Sequence, residues 1–200
     1  MKILCLYGNE CAIDLWKWLG SQGHQTVVRA EKINDDWVKK EHFDFAISYT
    51  YPYIIRQSTI DILKGKIVNL HTSFLPYNRG SNPNIWSIVD NTPRGVTLHY
   101  IDSGIDSGDI IAQTIVPIED GASLKSSYEQ LDLAAKQLFK DSFKFYEFWP
   151  NMRKKAIGSG NFHTDKDFLV VKSEYKKWDW EISVDEFLRD IKKVNRSNSV

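Results

Sequence analysis

The sequence contains few cysteines and carries no net charge. Cys5 and Cys11 are the only cysteines among 200 residues, so a disulfide framework is not indicated, and no Cys/His set has the spacing of a structural zinc site. Lys plus Arg and Asp plus Glu each total 26. This balance argues against a surface dedicated to nucleic acid. We therefore expect neither a bound metal nor a nucleic-acid partner.

Long apolar runs are also missing. No run approaches the roughly 20 residues that a membrane span needs, and the apolar residues 3–6 form too short a run for a signal peptide. We therefore expect no membrane partner and a cytoplasmic location. Two nucleotide-binding signatures are absent as well, because Gly8-Asn9 stands in place of a G-x-G-x-x-G turn and no Walker lysine motif occurs. These absences argue against a Rossmann dinucleotide cofactor.

The first half of the sequence alternates between strand-like and helix-like segments. The predicted strands are residues 2–7, 25–28, 43–48 and 66–70, and the predicted helices between them are 11–20 and 58–63, with 31–41 as a weak helix or a loop. This alternation predicts an α/β fold with an open, mostly parallel, twisted sheet and helices on both faces. In such sheets, ligands bind beyond the carboxyl ends of the strands.

The second half adds further elements and a tail. The predicted elements are a short helix at 84–89, strands at 95–101 and 109–117, a long helix at 123–148 ended by Pro150, and a last helix at 184–194 with Ser183 as its N-cap. Residues 1–150 are therefore predicted to form the main domain. Residues 151–200 are predicted to be a small C-terminal extension that packs on it.

The fourth predicted strand ends in a polar cluster. Asn69 and His71 are two residues apart, so both side chains lie on the same face of the strand. A carboxamide can stabilise an oxyanion, and an imidazole titrates near neutrality and can move a proton. A histidine that only completes its hydrogen bonds at a strand end is the alternative for His71.

A second polar run follows about 30 residues later. Residues 102–109 contain two Asp-Ser-Gly triplets, which suit a tight turn. The residue spacing of an EF-hand calcium loop is absent. The remaining interpretation is a ligand-binding loop that turns one carboxylate onto the imidazole, where it raises the basicity of the ring. We predict that the fold brings Asp106 to His71.

Aromatic and basic residues near these runs suggest ligand contacts. Tyr49, Tyr51, Tyr53 and Trp86 suit the stacking of a flat ring, although half-buried packing explains them equally well. Arg79, beside Gly80, suits a phosphate group, although a solvated charge is the more common role of a single arginine.

Two runs together resemble a known family. NLHTSFLPYNRGSNPNIWSI, followed by GVTLHYIDSGIDSGDII, resembles the formyltransferases that use 10-formyltetrahydrofolate. The motifs N-x-H-x-S-x-L-P and D-x-G-x-D-x-G-x-I occur in order and at the separation found in that family, within a similarity that extends over about residues 43–148. The resemblance implies a catalytic triad of Asn69, His71 and Asp106 and requires no metal.

The resemblance also implies binding residues. The backbone at 49–54 and 101–106 matches the segments that hold the pterin of the folate, which implies cofactor contacts from Tyr49, Tyr51, Tyr53, Ile54, Ile101, Asp102 and Gly104. Loop 77–86 and residues 160–163 look most like the nucleotide-sugar branch of the family, whereas the first turn departs from the phosphate loop of the purine-pathway enzyme. This branch implies substrate contacts from Asn9, Arg79, Gly80, Asn84 and Trp86.

The resemblance implies transfer of a formyl group from 10-formyltetrahydrofolate to the amine of a dTDP- or UDP-linked 4-amino-4,6-dideoxyhexose. Such sugars serve surface polysaccharides, including the lipopolysaccharide O-antigen. The base, the sugar and the position of the amine stay open. The alternatives are a formyltransferase that acts on a non-sugar amine, of purine-pathway or aminoacyl type, and a non-catalytic folate- or nucleotide-binding module. The aromatic segment 178–180 is a candidate homodimer surface.

Overall fold

The computed structural model describes residues 1–175 and 178–197. A six-stranded sheet forms its centre, in the order β2-β1-β3-β4-β6-β7. The strands are β1 (Lys2–Tyr7), β2 (Gln25–Arg29), β3 (Phe45–Tyr49), β4 (Ile67–His71), β6 (Gly95–Tyr100) and β7 (Ile110–Ile115). The pairs β1–β2, β1–β3 and β3–β4 are parallel, whereas β6 and β7 are added antiparallel. The predicted fold class is confirmed.

Helices cover both faces of the sheet. They are α1 (Ile13–Ser21), α2 (Asp35–Glu41), α3 (Gln57–Ile62), α4 (Pro83–Val89), α5 (Leu124–Phe143), α6 (Trp149–Met152), α7 (Asp165–Glu174) and α8 (Val184–Ser197). On one face, α1 and α5 bury Trp16 and Phe139 against the central strands, and on the other face Val38 and Ile60 of α2 and α3 do so. Because both faces are covered, the central strands β1 and β3 are short apolar runs rather than alternating ones.

The long helix is shorter than predicted. It begins after the N-cap Ser123 but ends at Phe143, and a short 3-10 turn leads into α6. Pro150 lies in the first turn of α6, where its missing N–H costs nothing. The prediction that Pro150 ends the long helix was therefore wrong. The ring of Trp149 is buried, and its Nε1 donates to the carbonyl of Ser142 at 3.0 Å.

Residues after 151 contact the rest of the chain at several places, among them a pair of short strands and a packed helix. Two short strands, β5 (Arg79–Gly80) and β8 (Phe162–His163), pair in parallel. Helix α8 packs Phe187 and Ile191 against Ile85 and Leu124. The predicted N-cap of α8 is confirmed, because Ser183 Oγ accepts the N–H of Glu186 at 3.2 Å. Helix α7 and strand β8 were not predicted. Over the residues described, no helix is both long and apolar enough to cross a membrane.

Candidate active site

A cleft of about 730 Å³ opens beyond the carboxyl ends of β1, β3 and β4. Its walls include the first turn, the tyrosine-rich turn after β3, the end of β4 and the loop after β6. This is the edge where an open parallel sheet places its ligands. The C-terminal segment 162–165 closes one side of the cleft.

The structure brings the three predicted catalytic side chains together in this cleft. Asn69 and His71 project from β4, and Asp106 reaches them from the loop after β6. Asn69 Nδ2 lies 3.3 Å from Asp106 Oδ1, and His71 Nε2 lies 3.6 Å from Asp106 Oδ2. Residues that are 37 positions apart in sequence thus form one polar centre.

The turn around Asp106 is held by its own polar groups. Asp102 Oδ1 accepts hydrogen bonds from the N–H of Gly104 at 3.0 Å and from Ser107 Oγ at 2.7 Å. Asp106 has a φ of 48°, in the left-handed region. A Cβ at Gly108 would overlap with the carbonyl of Tyr100. The two Asp-Ser-Gly triplets therefore form a tight turn that also presents the Asp106 carboxylate to His71.

Asp106 is held in its charged form. Burial by itself raises the pKa of this carboxyl, but the nearby imidazoles of His71 and His99 and a hydrogen bond from the N–H of Gly80 outweigh it. The Gly80 N–H donates to Asp106 Oδ2 at 2.9 Å. The net result is a pKa well below the usual range of aspartate. The site therefore contains a fixed negative charge next to His71.

The hydrogen-bond partner of His71 defines its tautomer. Nε2 of this buried ring lies 3.1 Å from the carbonyl oxygen of Asn78. A carbonyl oxygen can only accept, so we assign the hydrogen to Nε2. The lone pair of the neutral ring then lies on Nδ1, and a proton taken up by His71 enters there.

His99 completes the centre and was not predicted. It is only 2% exposed, and its Nδ1 lies 2.8 Å from the carbonyl of Tyr100. Its Nε2 lies 3.3 Å from Asn69 Nδ2 and 3.6 Å from Asp106 Oδ1. In the sheet, His99 pairs directly with Asn69. No sequence signal could identify it, because this strand register is known only from the structure.

The predicted pterin contacts line one side of the cleft. Ile101, Asp102 and Gly104 lie there, as do the residues of the tyrosine turn. Tyr51 and Tyr53 pack edge to face with ring centroids 5.3 Å apart, and Ile54 is 75% exposed. An exposed apolar side chain of this size at the rim of a cleft suits contact with a flat ring.

Tyr49 also borders the cleft, but its side chain is engaged elsewhere. The ring is buried, and its hydroxyl donates to Asp132 Oδ1 at 2.7 Å. Lys136 holds the other oxygen of that carboxylate at 2.6 Å. Burial, together with the negative charge of Asp132, raises the pKa of Tyr49 well above its usual value. Tyr49 therefore serves the wall of the cleft through its backbone and its packing.

The predicted substrate residues divide into two groups. Asn9 and Gly80 line the cleft, whereas Arg79, Asn84 and Trp86 do not belong to its wall. Trp86 lies behind the wall, where it stacks flat on His163 with ring centroids 3.7 Å apart. The side chain of Arg79 is partly buried beside β8. The predicted direct contacts of Arg79 and Trp86 with substrate stay predictions.

Asn84 is corrected to a structural residue. Its Nδ2 donates to Ser127 Oγ at 3.0 Å, and its Oδ1 accepts from Arg94 Nε at 3.2 Å. Arg94 also donates to the carbonyls of Val116 and Ser127, and burial lowers the pKa of its guanidinium to about 10. The face of α4 that carries Asn84 packs on α5, away from the cleft.

Asn84→Ala tests this correction. We expect it to lower the free energy of unfolding by about 1–3 kcal/mol, because the buried Arg94 Nε loses its acceptor. The KM for each substrate is expected to stay within about two-fold of wild type, because an uninvolved position leaves binding energy unchanged. Urea denaturation and steady-state kinetics measure the two quantities. A large increase in KM at unchanged stability would restore Asn84 as a substrate contact.

The C-terminal segment supplies cleft residues that were not among the predicted site residues. Phe162, His163, Thr164 and Asp165 all line the cleft. Phe162 is 43% exposed, and His163 Nε2 lies 2.8 Å from Asp90 Oδ2. The resemblance of residues 160–163 to the nucleotide-sugar branch was the available signal, but it did not indicate which side chains face the site.

Comparisons with known proteins agree with this geometry. The sequence profile of the formyl transferase family matches residues 18–142. The formyltransferase PseJ from Anoxybacillus kamchatkensis, solved with UDP-4,6-dideoxy-4-formamido-L-AltNAc and tetrahydrofolate, is 31% identical, with a TM-score of 0.83 over 94% of this chain and 97% of PseJ. The dTDP-4-amino-4,6-dideoxyglucose formyltransferase of Mycobacterium bovis is 34% identical over 128 residues, which are 64% of this chain and 54% of that protein.

The same similarity extends to a second group of enzymes. A methionyl-tRNA formyltransferase from Finegoldia magna is 26% identical over 165 residues, with 73% of this chain and 53% of that protein covered. This chain thus spans about half the length of the curated relatives it matches.

The fold and the polar centre define an α/β protein with an asparagine, two histidines and an aspartate gathered at the carboxyl edge of its sheet. The chain belongs to the formyl transferase family, because the family profile covers more than half of its length. The resemblance drawn from the two sequence motifs is confirmed.

Proposed function

We propose that this protein is an N-formyltransferase that moves a formyl group from 10-formyltetrahydrofolate to the amine of a nucleotide-linked amino sugar. The observation that carries the proposal is the meeting of Asn69, His71 and Asp106 at the end of β4, within one cleft. An oxyanion donor, a proton acceptor and a fixed carboxylate are the groups that acyl transfer to an amine requires.

The two walls of the cleft suit the two substrates. The wall formed by residues 51–55 and 101–107 is apolar at its rim and offers backbone groups from a tight turn, which suits the pterin of the folate. The opposite wall contains Gly80 and the segment 162–165, and it suits the sugar nucleotide. The polar centre lies between these walls, where the formyl carbon and the amine have to meet.

The reaction proceeds by addition and elimination. The sugar amine attacks the formyl carbon and forms a carbon–nitrogen bond, and the carbonyl oxygen becomes negatively charged. His71 takes the amine proton at Nδ1. The bond from the formyl carbon to N10 of the folate then breaks, and N10 takes the proton that His71 holds, which returns the ring to its neutral form. The products are tetrahydrofolate and a formamide, so the atoms balance without a metal or an oxidant.

Asn69 is placed to stabilise the oxyanion. Its Nδ2 contacts with His99 Nε2 and Asp106 Oδ1 are both 3.3 Å, which is long for a hydrogen bond. A new anionic oxygen is a stronger acceptor than a neutral imidazole nitrogen, so it can take one of these N–H groups. Loss of one such donor typically costs about 2.7–4 kcal/mol of barrier.

Asp106 supports the proton transfer. Its carboxylate lies 3.6 Å from Nε2 of His71 and stabilises the imidazolium that forms during the reaction. Since the pKa of Asp106 lies well below its usual range, the carboxylate itself remains unprotonated near neutral pH. We assign it the role of orienting and stabilising His71, not of exchanging protons.

A UDP- or dTDP-linked 4-amino-4,6-dideoxyhexose is the proposed acceptor. Similarity to PseJ over nearly its full length supports a UDP sugar, and similarity to the Mycobacterium bovis enzyme supports a dTDP sugar. We place the reaction in the cytoplasm, in the synthesis of a surface polysaccharide such as the O-antigen. No nucleic-acid or membrane partner is part of this proposal.

We also propose that two parts of the chain have different roles. Residues 1–150 form the catalytic domain, and the extension from residue 151 supplies one wall of its cleft. We also propose a homodimer. The ring of Trp178 packs against Phe187 with centroids 5.6 Å apart, so the exposed Trp180 is the residue of segment 178–180 that we propose for the dimer surface.

A panel of acceptors tests the function. Purified protein is mixed with 10-formyltetrahydrofolate and with UDP- or dTDP-linked amino sugars, and tetrahydrofolate and the formylated sugar are both quantified. We expect one nucleotide series to give a kcat/KM of about 10⁴ M⁻¹s⁻¹ or more, which is in the range of ordinary enzymes. Glycinamide ribonucleotide and methionyl-tRNA are the comparison acceptors.

The other outcomes identify the alternatives. Efficient formylation of a comparison acceptor, with no reaction of the sugars, would establish a non-sugar formyltransferase. Release of formate at the same rate with and without an acceptor would indicate a hydrolase. Saturable folate binding without any turnover would indicate a binding module.

A further inference from the structure

The segment before β8 reaches the catalytic histidine through two asparagines. Asn161 Oδ1 accepts the backbone N–H of Asn78 at 2.5 Å, and Asn161 Nδ2 donates to Asn78 Oδ1 at 2.9 Å. The carbonyl of Asn78 in turn accepts the hydrogen bond from His71 Nε2. Asn161 lies outside residues 18–142, the part of the chain that matches the family profile.

Asn78 depends on such a partner. It is fully buried, so its polar groups need partners inside the protein. Its φ of 54° lies in the left-handed region, which asparagine adopts more readily than other residues with a side chain. Its remaining amide hydrogen bond runs to Thr92 Oγ1 at 2.7 Å. The direction of the Asn78 carbonyl, and with it the position of the acceptor for His71, is therefore set by the groups that hold the side chain of Asn78 and the two peptide units that flank it.

The side chain of Asn161 is itself held by further hydrogen bonds. Its Nδ2 donates to Asp90 Oδ2 at 2.6 Å, and the same oxygen lies 2.8 Å from His163 Nε2. The preceding Gly160 fits closely, because a Cβ there would overlap with the Pro76 carbonyl. These contacts fix the side chain of Asn161 in one orientation.

We propose that Asn161 is a positioning residue for His71. Its side-chain oxygen holds the N–H of Asn78, and its backbone carbonyl accepts the N–H of Arg79 at 3.2 Å. Asn161 thereby holds both peptide units that flank the Cα of Asn78 and keeps a hydrogen-bond acceptor opposite Nε2, so the lone pair of the ring stays on Nδ1. The catalytic reading of this arrangement rests on the proposed function. Asn161 does not line the cleft, so its loss is expected to affect turnover rather than substrate binding.

The main test compares Asn161→Ala with a control variant in the same segment. We expect N161A to lower kcat by about 30-fold, within the range for supporting partners of catalytic groups, with the KM of both substrates within about two-fold of wild type. The control is Asp167→Ala, since Asp167 Oδ2 accepts the N–H of Thr164 at 2.7 Å and caps α7 without contacting Asn78. D167A is expected to leave kcat within about two-fold of wild type.

A rescue experiment covers the case in which N161A does not fold. Asn161→Asp keeps an acceptor for the Asn78 N–H but faces the carboxylate of Asp90, and it can no longer donate. We expect N161D to lower kcat by at least as much as N161A. In N161D/D90N the new amide can donate to the new carboxylate, and about ten-fold of the loss is expected to return, as removal of repulsion between two like charges predicts. D90N alone is the reference.

A spectroscopic readout separates this inference from the proposed function. In protein labelled with ¹⁵N-histidine, wild type is expected to show His71 protonated at Nε2, and N161A to show a mixture of tautomers. D167A is expected to resemble wild type. If wild type transfers no formyl group but the tautomer changes as described, the proposed function fails and the positioning role stands.

Three results would overturn the positioning role. One is a kcat of N161A within about three-fold of wild type, since a supporting partner is worth more than that, together with unchanged nitrogen shifts of His71. Another is an equal loss of kcat in D167A. The last is a failure of D90N to recover any activity in the N161D background.

Discussion

His71→Gln is expected to lower kcat by about 10³-fold, within the range that general acid–base catalysis supplies. Glutamine keeps a donor near the Asn78 carbonyl but has no group that can accept a proton from the attacking amine. The Kd for 10-formyltetrahydrofolate is expected to stay within about three-fold of wild type, because the proposed folate wall lies on other segments of the cleft. Single-turnover kinetics and fluorescence titration measure these two quantities.

His24→Gln is the matched control. This histidine lies at the other end of the sheet, where its Nδ1 is 3.5 Å from the amino terminus, and its replacement is expected to leave kcat unchanged. If H71Q retained turnover within a few-fold of wild type, His71 would not be the base. Loss of folate binding together with turnover would instead assign His71 to the binding of the cofactor.

Asp106→Asn is expected to produce the second largest effect, a loss of about 10²-fold in kcat, as for partners that orient a catalytic group. The amide is nearly the same size as the carboxylate but cannot stabilise the imidazolium that forms on His71. The loss is expected to appear in kcat at saturating concentrations of both substrates.

The pH dependence of stability gives an independent check on Asp106. Its pKa is depressed in the folded state, so its contribution to stability is fully present above the unfolded value of about 3.9 and is lost as the pH falls below it. The D106N variant has no carboxyl at this position and therefore lacks this pH-dependent contribution to stability. We therefore expect the stability advantage of wild type over D106N to narrow as the pH is lowered from about 4 toward 2, in the range set by the unfolded aspartate pKa.

The predicted loss of kcat and the predicted pH dependence of stability can each fail separately. A kcat of D106N close to that of wild type would remove Asp106 from the mechanism. A difference in unfolding free energy that does not change below pH 4, in the range of ordinary aspartate titration, would mean that the carboxyl is not held in its charged form.

The sheet and the meeting of Asn69, His71 and Asp106 could be predicted from the sequence, and the reasons are partly physical. Strands buried on both faces are short apolar runs, so β1, β3 and β4 stand out against charged connections. The spacing of two between Asn69 and His71 fixes their common face. The return of Asp106 depended on the second motif, because no local rule states which turn of a sheet reaches back to a given strand.

Three residues show what could not be predicted from the sequence. Asn84 lies on a helix of seven residues, α4, too short for its apolar period to show which face is buried. Its partner Arg94 is a buried cation, which composition alone would place at the surface. His99 was missed because its position beside Asn69 is recognised only once the strand register is known. Asn161 was missed because it acts through its contacts with Asn78, a residue 83 positions earlier in the sequence.

The central claim is that the formyl group passes from the folate to the sugar amine at His71. The most direct test uses 10-formyltetrahydrofolate labelled with ¹³C in the formyl group, together with the accepted amino sugar, and follows the label by mass spectrometry and ¹³C NMR. We predict that the label appears in a formamide on the sugar, in equal amount to the tetrahydrofolate released, and that H71Q forms almost none. Labelled formate in solution with an unmodified sugar, or full transfer by H71Q, would contradict this account.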